Sequence, residues 1–358
     1  MISFERKIKF TTNLKETLPL YTNILRGKQK CTYQLSKEIY VKEPFDSSTP
    51  LEKLWEFHKI LMIKFHSIQD KTINNEIQED QNTNTNKKQQ TLLDLKCEIG
   101  DRILRNCILC ENRCEKDRKT KKGKCKVGIS PRISSIFLHH GEEPELVPSL
   151  TIFFSGYISQ NSLNGQIMDP IELANTIQKY FKRCGKRGMR NMNWVGGDPI
   201  PNLPFILHVL HDIKENIPCV WNSNMYHSEE ASQLLDGVVD LYLSDLKYGS
   251  DKCGKMLSKR RNYCSVIHRN LLQAQKSGAD ILIRHLVLPT HINCCTKECA
   301  RWVAQNLGIS TRYNLMFQYR PCYKASQIED INRKLTLEER KKALKVTQES
   351  GLINFVEW

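Results

Sequence analysis

The sequence lacks any long hydrophobic run. No stretch approaches the roughly 20 consecutive apolar residues that a membrane-spanning helix needs, and its first ten residues, MISFERKIKF, lack an apolar run of signal-peptide length. The sequence therefore predicts a soluble, cytoplasmic protein with no membrane partner. Because the cytoplasm is reducing, we expect its 14 cysteines to be free thiols or metal ligands and not disulfides.

Large apolar residues are also scarce between residues 73 and 90, where the chain reads INNEIQEDQNTNTNKKQQ. Such a composition cannot bury enough apolar surface to offset the entropy lost on ordering, so it predicts a disordered linker. Apolar residues at helical spacing predict helices at 50–67 and from residue 92 onward. The predicted domains are a helical N-terminal extension (1–72), the linker (73–91), a helix with a cysteine-rich segment (92–148) and an α/β region (149–358).

Acidic residues are fewer than basic residues, with 39 Asp and Glu against 54 Lys and Arg, and the formal net charge is +15. This excess would attract nucleic acid or another polyanion. Basic residues are nevertheless spread along the whole chain, apart from one local concentration near residue 120, and this spread is more typical of a solvated surface. A nucleic-acid partner is therefore not favoured.

Short apolar runs alternate with helical stretches from about residue 150 onward. The predicted strands are 150–156, 191–197, 219–224, 241–248, 280–289 and 313–321, with a further short candidate at 353–358. Asp169 with Glu172, and Thr336 with Glu339, have the spacing of helix N-caps and their partners. Repeated βα units predict a parallel sheet covered by helices, either an open doubly wound sheet or a complete or partial barrel.

Polar residues follow several of these strands, where the carboxyl ends of parallel strands gather functional groups. Any one of them alone is more simply explained as a turn glycine, a helix cap or a surface ion pair. Together they predict a ligand pocket, because glycines let a ligand approach the backbone, amides and carboxylates bind hydroxyl or amino groups, and Lys and Arg bind a carboxylate. The set suits a zwitterionic nucleoside, and it suits other polar ligands as well. The predicted pocket residues are Gly196, Gly197, Asp198, Asn222, Ser223, Asn224, Asp245, Lys247, Arg284 and His285.

Four cysteines, Cys107, Cys110, Cys114 and Cys125, form a C-x2-C-x3-C-x10-C pattern in a polar loop. This spacing predicts a metal site that holds either tetrahedral zinc or an iron-sulfur cluster. Seven cations surround it, and they could offset the charge of the thiolates, contact nucleic acid or simply be solvated. They are Lys116, Arg118, Lys119, Lys121, Lys122, Lys124 and Lys126.

The remaining cysteines and the histidines show no spacing that selects a site. Cys294, Cys295 and Cys299 have poor spacing for one metal ion, and the scattered cysteines are interpreted as small packing residues or exposed thiols. These include Cys184, Cys219, Cys253, Cys264 and Cys322. The histidines could be ligands or bases, but satisfied polar contacts are favoured for His139, His140, His285 and His291.

The blocks TIFFSG, NWVGGDPIPNLPFIL, VWNSNMY, LLDGVVDLYLSDLKYG, IRHLVLPTHINCCTK and NLMFQYRPCYKA occur in this order. They resemble successive blocks of the radical S-adenosylmethionine proteins related to pyruvate formate-lyase-activating enzyme, over about residues 92–325. The resemblance implies a partial (β/α)6 barrel with S-adenosylmethionine lying across the strand ends. It further implies that Gly196, Gly197 and Asp198 meet the methionine amino group, and that the other pocket residues line the same site.

The activity implied by this resemblance is reductive cleavage to a 5′-deoxyadenosyl radical, which in the activating enzymes abstracts hydrogen from a glycine of a partner protein. The family holds the required 4Fe-4S cluster with CxxxCxxC directly after FFSG. Here YISQN follows FFSG at 153–156, and no cysteine occurs between Cys125 and Cys184. Direct substitution would place Tyr157, Asn161 and Asn164 at the cysteine positions. The run YISQNSLNG is, however, similar to the residues that come after the cysteine motif in the family, which favours a deletion.

Three functions remain open from the sequence. The chain could be a radical S-adenosylmethionine enzyme that recruits other cluster ligands, because amide and phenol oxygens do not replace thiolates. It could be a pseudoenzyme that keeps the nucleoside pocket to bind a ligand or a partner protein. The least favoured function is that of a metal-stabilised protein that binds nucleic acid.

Overall fold

A computed structural model describes residues 14–73, 89–141, 143–156 and 165–357 of the chain. Most of the predicted linker at 73–91 lies outside these residues. So does the segment 157–164, which contains Tyr157, Asn161 and Asn164 and comes directly after FFSG.

Nine strands of the described residues form one sheet, in the order β3-β1-β2-β4-β5-β6-β7-β8-β9. The pairs from β2–β4 through to β8–β9 are all parallel, whereas β1 pairs antiparallel with both β2 and β3. The predicted α/β fold with a parallel sheet is therefore confirmed, and β1 is a strand that the sequence analysis did not predict. The strands are β1 (Arg132–His139), β2 (Ser149–Phe154), β3 (Gln166–Ile167), β4 (Asn191–Gly196), β5 (Cys219–Ser223), β6 (Leu241–Asp245), β7 (Asp280–Leu286), β8 (Arg312–Met316) and β9 (Phe355–Glu357).

Helices connect the parallel strands, and two of them begin where the capping pattern predicted. The Asp169 carboxylate accepts a hydrogen bond from the Glu172 amide at 2.8 Å, and Thr336 forms a reciprocal capping box with Glu339. The helices are α1 (Leu14–Thr17), α2 (Pro19–Leu25), α3 (Thr32–Ser36), α4 (Leu51–Ile73), α5 (Leu92–Ile103), α6 (Pro170–Gly188), α7 (Leu203–Asp212), α8 (Glu229–Leu235), α9 (Asp251–Ser258), α10 (Tyr263–Lys276), α11 (Lys297–Asn306) and α12 (Leu337–Glu349).

Contacts between the two ends of the six-stranded array β2 to β8 show that the sheet curls into a partial barrel. Glu145, four residues before β2, forms a buried ion pair with Arg312 at the start of β8, with 2.5 Å between Oε1 and Nε. Glu143 accepts a hydrogen bond from the Asn314 side chain at 2.9 Å. Four strands separate β2 from β8 in the sheet, so a flat sheet would hold these residues far apart.

The N-terminal helices pack against the amino end of this barrel. Asp240 accepts hydrogen bonds from the Thr32 and Cys219 amides at 2.8 and 2.7 Å, and Asp280 accepts one from the Tyr21 amide at 2.7 Å. Burial raises the pKa of these carboxyls to about 6 for Asp240 and about 7 for Asp280. The amino end of the sheet is thus occupied by protein, which leaves the carboxyl end for ligands.

None of the helices in the described ranges combines the length and the apolarity that a membrane crossing requires.

Candidate functional site

The carboxyl ends of β4, β5, β6 and β7 surround one small cavity of about 80 Å³. Nine of the ten residues predicted from the sequence line it, together with Val195, and His285 is the one that does not. The lining residues are Val195, Gly196, Gly197, Asp198, Asn222, Ser223, Asn224, Asp245, Lys247 and Arg284.

Strand alternation explains why the polar side chains converge. Successive side chains of a strand point to opposite faces, so residues two apart share a face. Asn222, Asp245 and Arg284 each lie two residues beyond a buried aliphatic residue of the barrel interior. Those aliphatic residues, Val220, Leu243 and Leu282, belong to one apolar cluster with the N-terminal Leu18 and Tyr21. The charged layer therefore lies directly above an apolar layer that supports it.

An ion-pair network connects β5, β6 and β7 at the pocket. The Arg284 guanidinium donates to Asp245 Oδ1 at 2.9 Å and to Asn222 Oδ1 at 3.0 Å, and Lys247 Nζ lies 3.3 Å from Asp245 Oδ2. Burial raises the pKa of Asp245, but the nearby Arg284 and Lys247 lower it further, so that it lies below its ordinary value. Asp245 in turn raises the pKa of Lys247. All three groups are therefore charged at neutral pH.

Asp198 has a different environment, because its carboxylate is bonded on both oxygens. Oδ1 accepts from the Ile200 amide at 3.1 Å, Oδ2 accepts from the Asn224 amide at 2.9 Å, and the Ser223 hydroxyl lies within 3.1 Å of both. Burial raises the pKa of Asp198 to about 6. Since a hydroxyl donates one proton at a time, little acceptor capacity is left for a ligand. In this arrangement Asp198 joins the loop after β4 to the end of β5.

Gly196 is required by the sheet itself. Its φ is +126°, and a Cβ there would lie 2.6 Å from the carbonyl oxygen of Phe154 in the paired strand β2. No L-amino acid with a side chain fits this position without displacing β2. The sheet therefore requires glycine at this position whether or not a ligand binds.

His285 lies on the outer face of β7, opposite to Arg284. Its ring is buried, with Nδ1 2.7 Å from the Leu246 carbonyl oxygen and Nε2 3.0 Å from Thr296 Oγ1. Burial lowers the pKa of His285 to about 4, so the ring is neutral. Side chains alternate along β7, so the sequence already indicates that Arg284 and His285 point to opposite faces of this strand.

The pocket lining balances two carboxylates, Asp198 and Asp245, against two cations, Lys247 and Arg284. Such a site suits a ligand that carries both charges, because each end finds a counter-charge without leaving a net charge behind. The cavity is smaller than the roughly 300 Å³ of an ordinary small-molecule site. It can hold the charged end of a nucleoside, and the rest of that ligand would extend beyond the lining residues.

The four predicted metal cysteines lie in a compact loop that follows α5. Cys107 and Cys125 are buried and Cys110 and Cys114 are half-buried. A Cβ on Gly123 would lie 3.2 Å from the sulfur of Cys125 and 3.4 Å from that of Cys114. Glycine at this position therefore lets the loop fold closely around the sulfur atoms.

One cation of the loop is buried among these sulfurs, whereas the six lysines are exposed. Arg118 Nη1 lies 3.4 Å from the sulfur of Cys107 and 3.4 Å from that of Cys125, and Nη2 donates to the carbonyl oxygen of Gly128 at 3.1 Å. No carboxylate of the described residues bonds to it, and a buried guanidinium is costly without a counter-charge. Ionised cysteines would supply that charge, so the donor set fits a metal ion or cluster bound by thiolates. In the sequence Arg118 is one of seven cations, and nothing in the pattern shows which of them is buried.

The cysteine loop is joined to the top of the barrel. The Glu111 amide donates to the Tyr226 carbonyl oxygen, and the Ser228 amide donates to that of Leu109 at 3.2 Å. Tyr226 and Ser228 belong to the segment after β5, which begins at the pocket residue Asn224. The side-chain oxygen of Asn224 accepts a hydrogen bond from the Tyr226 amide at 3.0 Å. The two predicted sites therefore share one connecting segment, residues 224–228.

These features define an α/β partial barrel with a charged strand-end pocket and a four-cysteine loop joined to it. No family model matches the chain. The chain is 44% identical over 278 residues to the uncharacterized protein MJ0674 of Methanocaldococcus jannaschii. The match covers 73% of this chain and 80% of MJ0674. The chain belongs to the same family as MJ0674.

Several solved structures are similar to parts of the chain at low sequence identity. A domain of pyruvate-formate lyase-activating enzyme from Bacteroides vulgatus matches 53% of this chain and 94% of its own length, with 14% identity and a TM-score of 0.31. Streptococcus suis SuiB bound to S-adenosylmethionine matches 55% of this chain and 45% of its own length, with 13% identity and a TM-score of 0.42.

Proposed function

We propose that this chain binds S-adenosylmethionine at the strand-end pocket, as a radical S-adenosylmethionine-type protein related to pyruvate formate-lyase-activating enzymes. We further propose that it does so without cleaving the cofactor. The observation that carries the proposal is the convergence of Asp198, Asp245, Lys247 and Arg284 on one cavity from four neighbouring strand ends.

The chemistry of the pocket supports a ligand with an amino-acid end. Lys247 is partly exposed and points its ammonium group at the cavity, where a carboxylate would share it with Asp245. The side-chain oxygens of Asn222 and Asp245 accept hydrogen bonds, so they suit an ammonium group. The ordered sequence blocks quoted above link this composition to S-adenosylmethionine rather than to another zwitterion.

Loss of cleavage follows from the cysteines that the sequence lacks. A cluster with one open iron would chelate the cofactor and supply the electron for cleavage. Its three thiolates have no counterpart after FFSG, because the sequence has no cysteine between Cys125 and Cys184. The four-cysteine loop offers four thiolates, and a site that uses all of them is closed to a further ligand. In this proposal Lys247 and its neighbours bind and orient the ligand.

Binding can be tested with two ligands that differ in one group. We expect Lys247→Met to weaken binding of S-adenosylmethionine by about 10- to 100-fold, as for loss of a charge-assisted hydrogen bond. Binding of decarboxylated S-adenosylmethionine, which has no carboxylate, should change little. Lys255→Met removes an exposed lysine of α9 and is the matched control. Equilibrium dialysis measures the unmodified chain and both variants with each ligand, and absence of binding by the unmodified chain would refute the proposal.

Cleavage needs a separate experiment. The chain is reconstituted anaerobically with iron and sulfide, reduced with dithionite, and assayed for 5′-deoxyadenosine by chromatography. We expect no product above a protein-free control. Stoichiometric 5′-deoxyadenosine would overturn the non-cleaving part of the proposal and leave the binding part in place.

A further inference from the structure

A second group of potential metal ligands lies outside both sites described above. Cys253, His291 and Cys294 each offer one donor atom, and these three atoms all lie within 4.8 Å of one another. Cys253 and His291 are buried and Cys294 is exposed, so the group lies at the surface with one open side. We propose that these residues form a Zn²⁺ site with three protein ligands, which goes beyond the proposed binding of S-adenosylmethionine.

The distance between the two sulfurs has the value that zinc requires. Cys253 Sγ lies 3.8 Å from Cys294 Sγ. Two thiolates bound at about 2.3 Å to a tetrahedral Zn²⁺ ion are separated by about 3.8 Å. A disulfide needs about 2.05 Å, so the two sulfurs would have to move much closer to form one. The two sulfurs therefore need no rearrangement to bind one tetrahedral ion together.

The Nδ1 atom of His291 contacts groups of its own turn, including Thr290 Oγ1 at 3.0 Å. It lies 2.8 Å from the carbonyl oxygen of Pro289, to which it can donate its proton. That hydrogen bond selects the tautomer in which Nε2 has a free lone pair, the arrangement that metal-bound histidines show. Thr290, directly before it, has a φ of +61°, which is strained for a β-branched residue. The turn thus holds His291 in its position at a conformational cost.

Close packing brings the two segments together. Cys253 lies in the first turn of α9, and Cys294 lies in a short π-helical turn, Ile292–Thr296, after β7. Between them is Gly249, where a Cβ would lie 2.6 Å from the carbonyl oxygen of Cys294. Only glycine allows the β6 exit to approach this turn so closely. The ligands are therefore brought together by the fold rather than by a local sequence motif.

The proposed zinc site lies on the two segments that follow the pocket residues Lys247 and Arg284. The segment from Lys247 leads into Cys253, and the segment from Arg284 leads into His291. A bound ion would cross-link the exits of β6 and β7, which carry the two cations of the pocket. Three protein donors also leave the fourth position of a tetrahedral ion to water or to an added ligand.

The test is a metal titration of the full chain in reducing buffer, without iron and without S-adenosylmethionine. Chelator-treated protein is titrated with Co²⁺ and then Zn²⁺, and bound metal is measured by atomic emission. We expect Cys294→Ser to bind one equivalent less than the unmodified chain and to lose part of the thiolate-to-cobalt charge-transfer absorption. Zn²⁺ should raise the melting temperature of the unmodified chain more than that of the variant.

Two controls separate this site from the others. Cys322→Ser removes another exposed thiol and should keep the full stoichiometry. Cys110→Ser damages the four-cysteine loop and should keep the equivalent that depends on Cys294. Equal metal stoichiometry and equal spectra for the unmodified chain and Cys294→Ser would overturn the proposal. So would a Cys253–Cys294 disulfide in anaerobically purified protein whose metal content does not depend on Cys294. Neither result would bear on binding of S-adenosylmethionine, which is measured separately.

Discussion

Replacement of Arg118 by methionine should separate a metal-linked role of this residue from a packing role. In the metal-loaded chain Arg118 faces thiolates, whereas in the metal-free chain burial raises the pKa of Cys110 to about 11 and so favours its protonated form. Burial also raises the pKa of Cys107, with Arg118 partly offsetting it. Binding of metal by thiolates would therefore increase the negative charge that the guanidinium faces.

The expected magnitude is set by the distances. At 3.4 Å and an effective dielectric of about 20, one guanidinium–thiolate pair has about 5 kcal/mol of gross attraction. Burial of the guanidinium offsets most of this gain. Loss of a residue that supports metal ligands typically lowers metal affinity about 10- to 100-fold, or about 1.4 to 2.8 kcal/mol. We therefore expect Arg118→Met to lower zinc affinity within that range.

The assay combines chelator competition with urea unfolding of the loaded and metal-free chain. By linkage, the stabilisation that metal adds to the folded state should fall by the same free energy as the binding. Lys121→Met, which removes an exposed cation of the same loop, should change neither quantity. Equal destabilisation of the loaded and metal-free forms by Arg118→Met, with unchanged zinc affinity, would refute the reasoning and leave Arg118 as a packing residue.

Two further predictions concern stability. Burial raises the pKa of Asp280 from 3.8 to about 7. Between these pH values the folded state therefore binds more protons than the unfolded state. The stabilising contribution of Asp280 is present below about pH 4 and is lost as the pH rises to about 7. Asp280→Asn should therefore flatten the decrease of melting temperature over this range, and an unchanged slope would contradict the assignment. Thr336→Ala removes the acceptor of the Glu339 amide and should lower the free energy of unfolding by about 1 kcal/mol in urea titrations, whereas no loss would mean that the cap is replaced by water.

The parallel sheet and most of the pocket could be predicted from the sequence, because both depend on local patterns. Apolar runs of strand length predicted β2 and β4 to β9, and the rule for carboxyl ends selected nine of the residues that line the cavity. His285 was included because alternation was not applied to β7. β1 was not predicted because its sequence, RISSIFLH, does not form a buried apolar run. Most of its side chains are partly or fully exposed.

Contacts between distant residues could not be predicted. Cys253 and Cys294 are 41 residues apart and meet only because the exits of β6 and β7 are adjacent in the sheet. Arg118 is one of seven cations in its loop, and its burial depends on how the loop folds around the sulfurs. The assignment of separate roles to Asp198 and Asp245 likewise required the donors that surround each carboxylate.

Hydrogen bonds at the amino end of the barrel join the N-terminal helices to the barrel across the predicted boundary at residue 149. Asp240 and Asp280 are anchored by backbone amides of the N-terminal helices. A shorter protein that began at Ser149 would expose the apolar layer beneath the pocket and leave these carboxylates without two of their donors. The floor of the pocket is thus built in part by residues that precede the barrel, and we expect the barrel region to need these residues in order to fold.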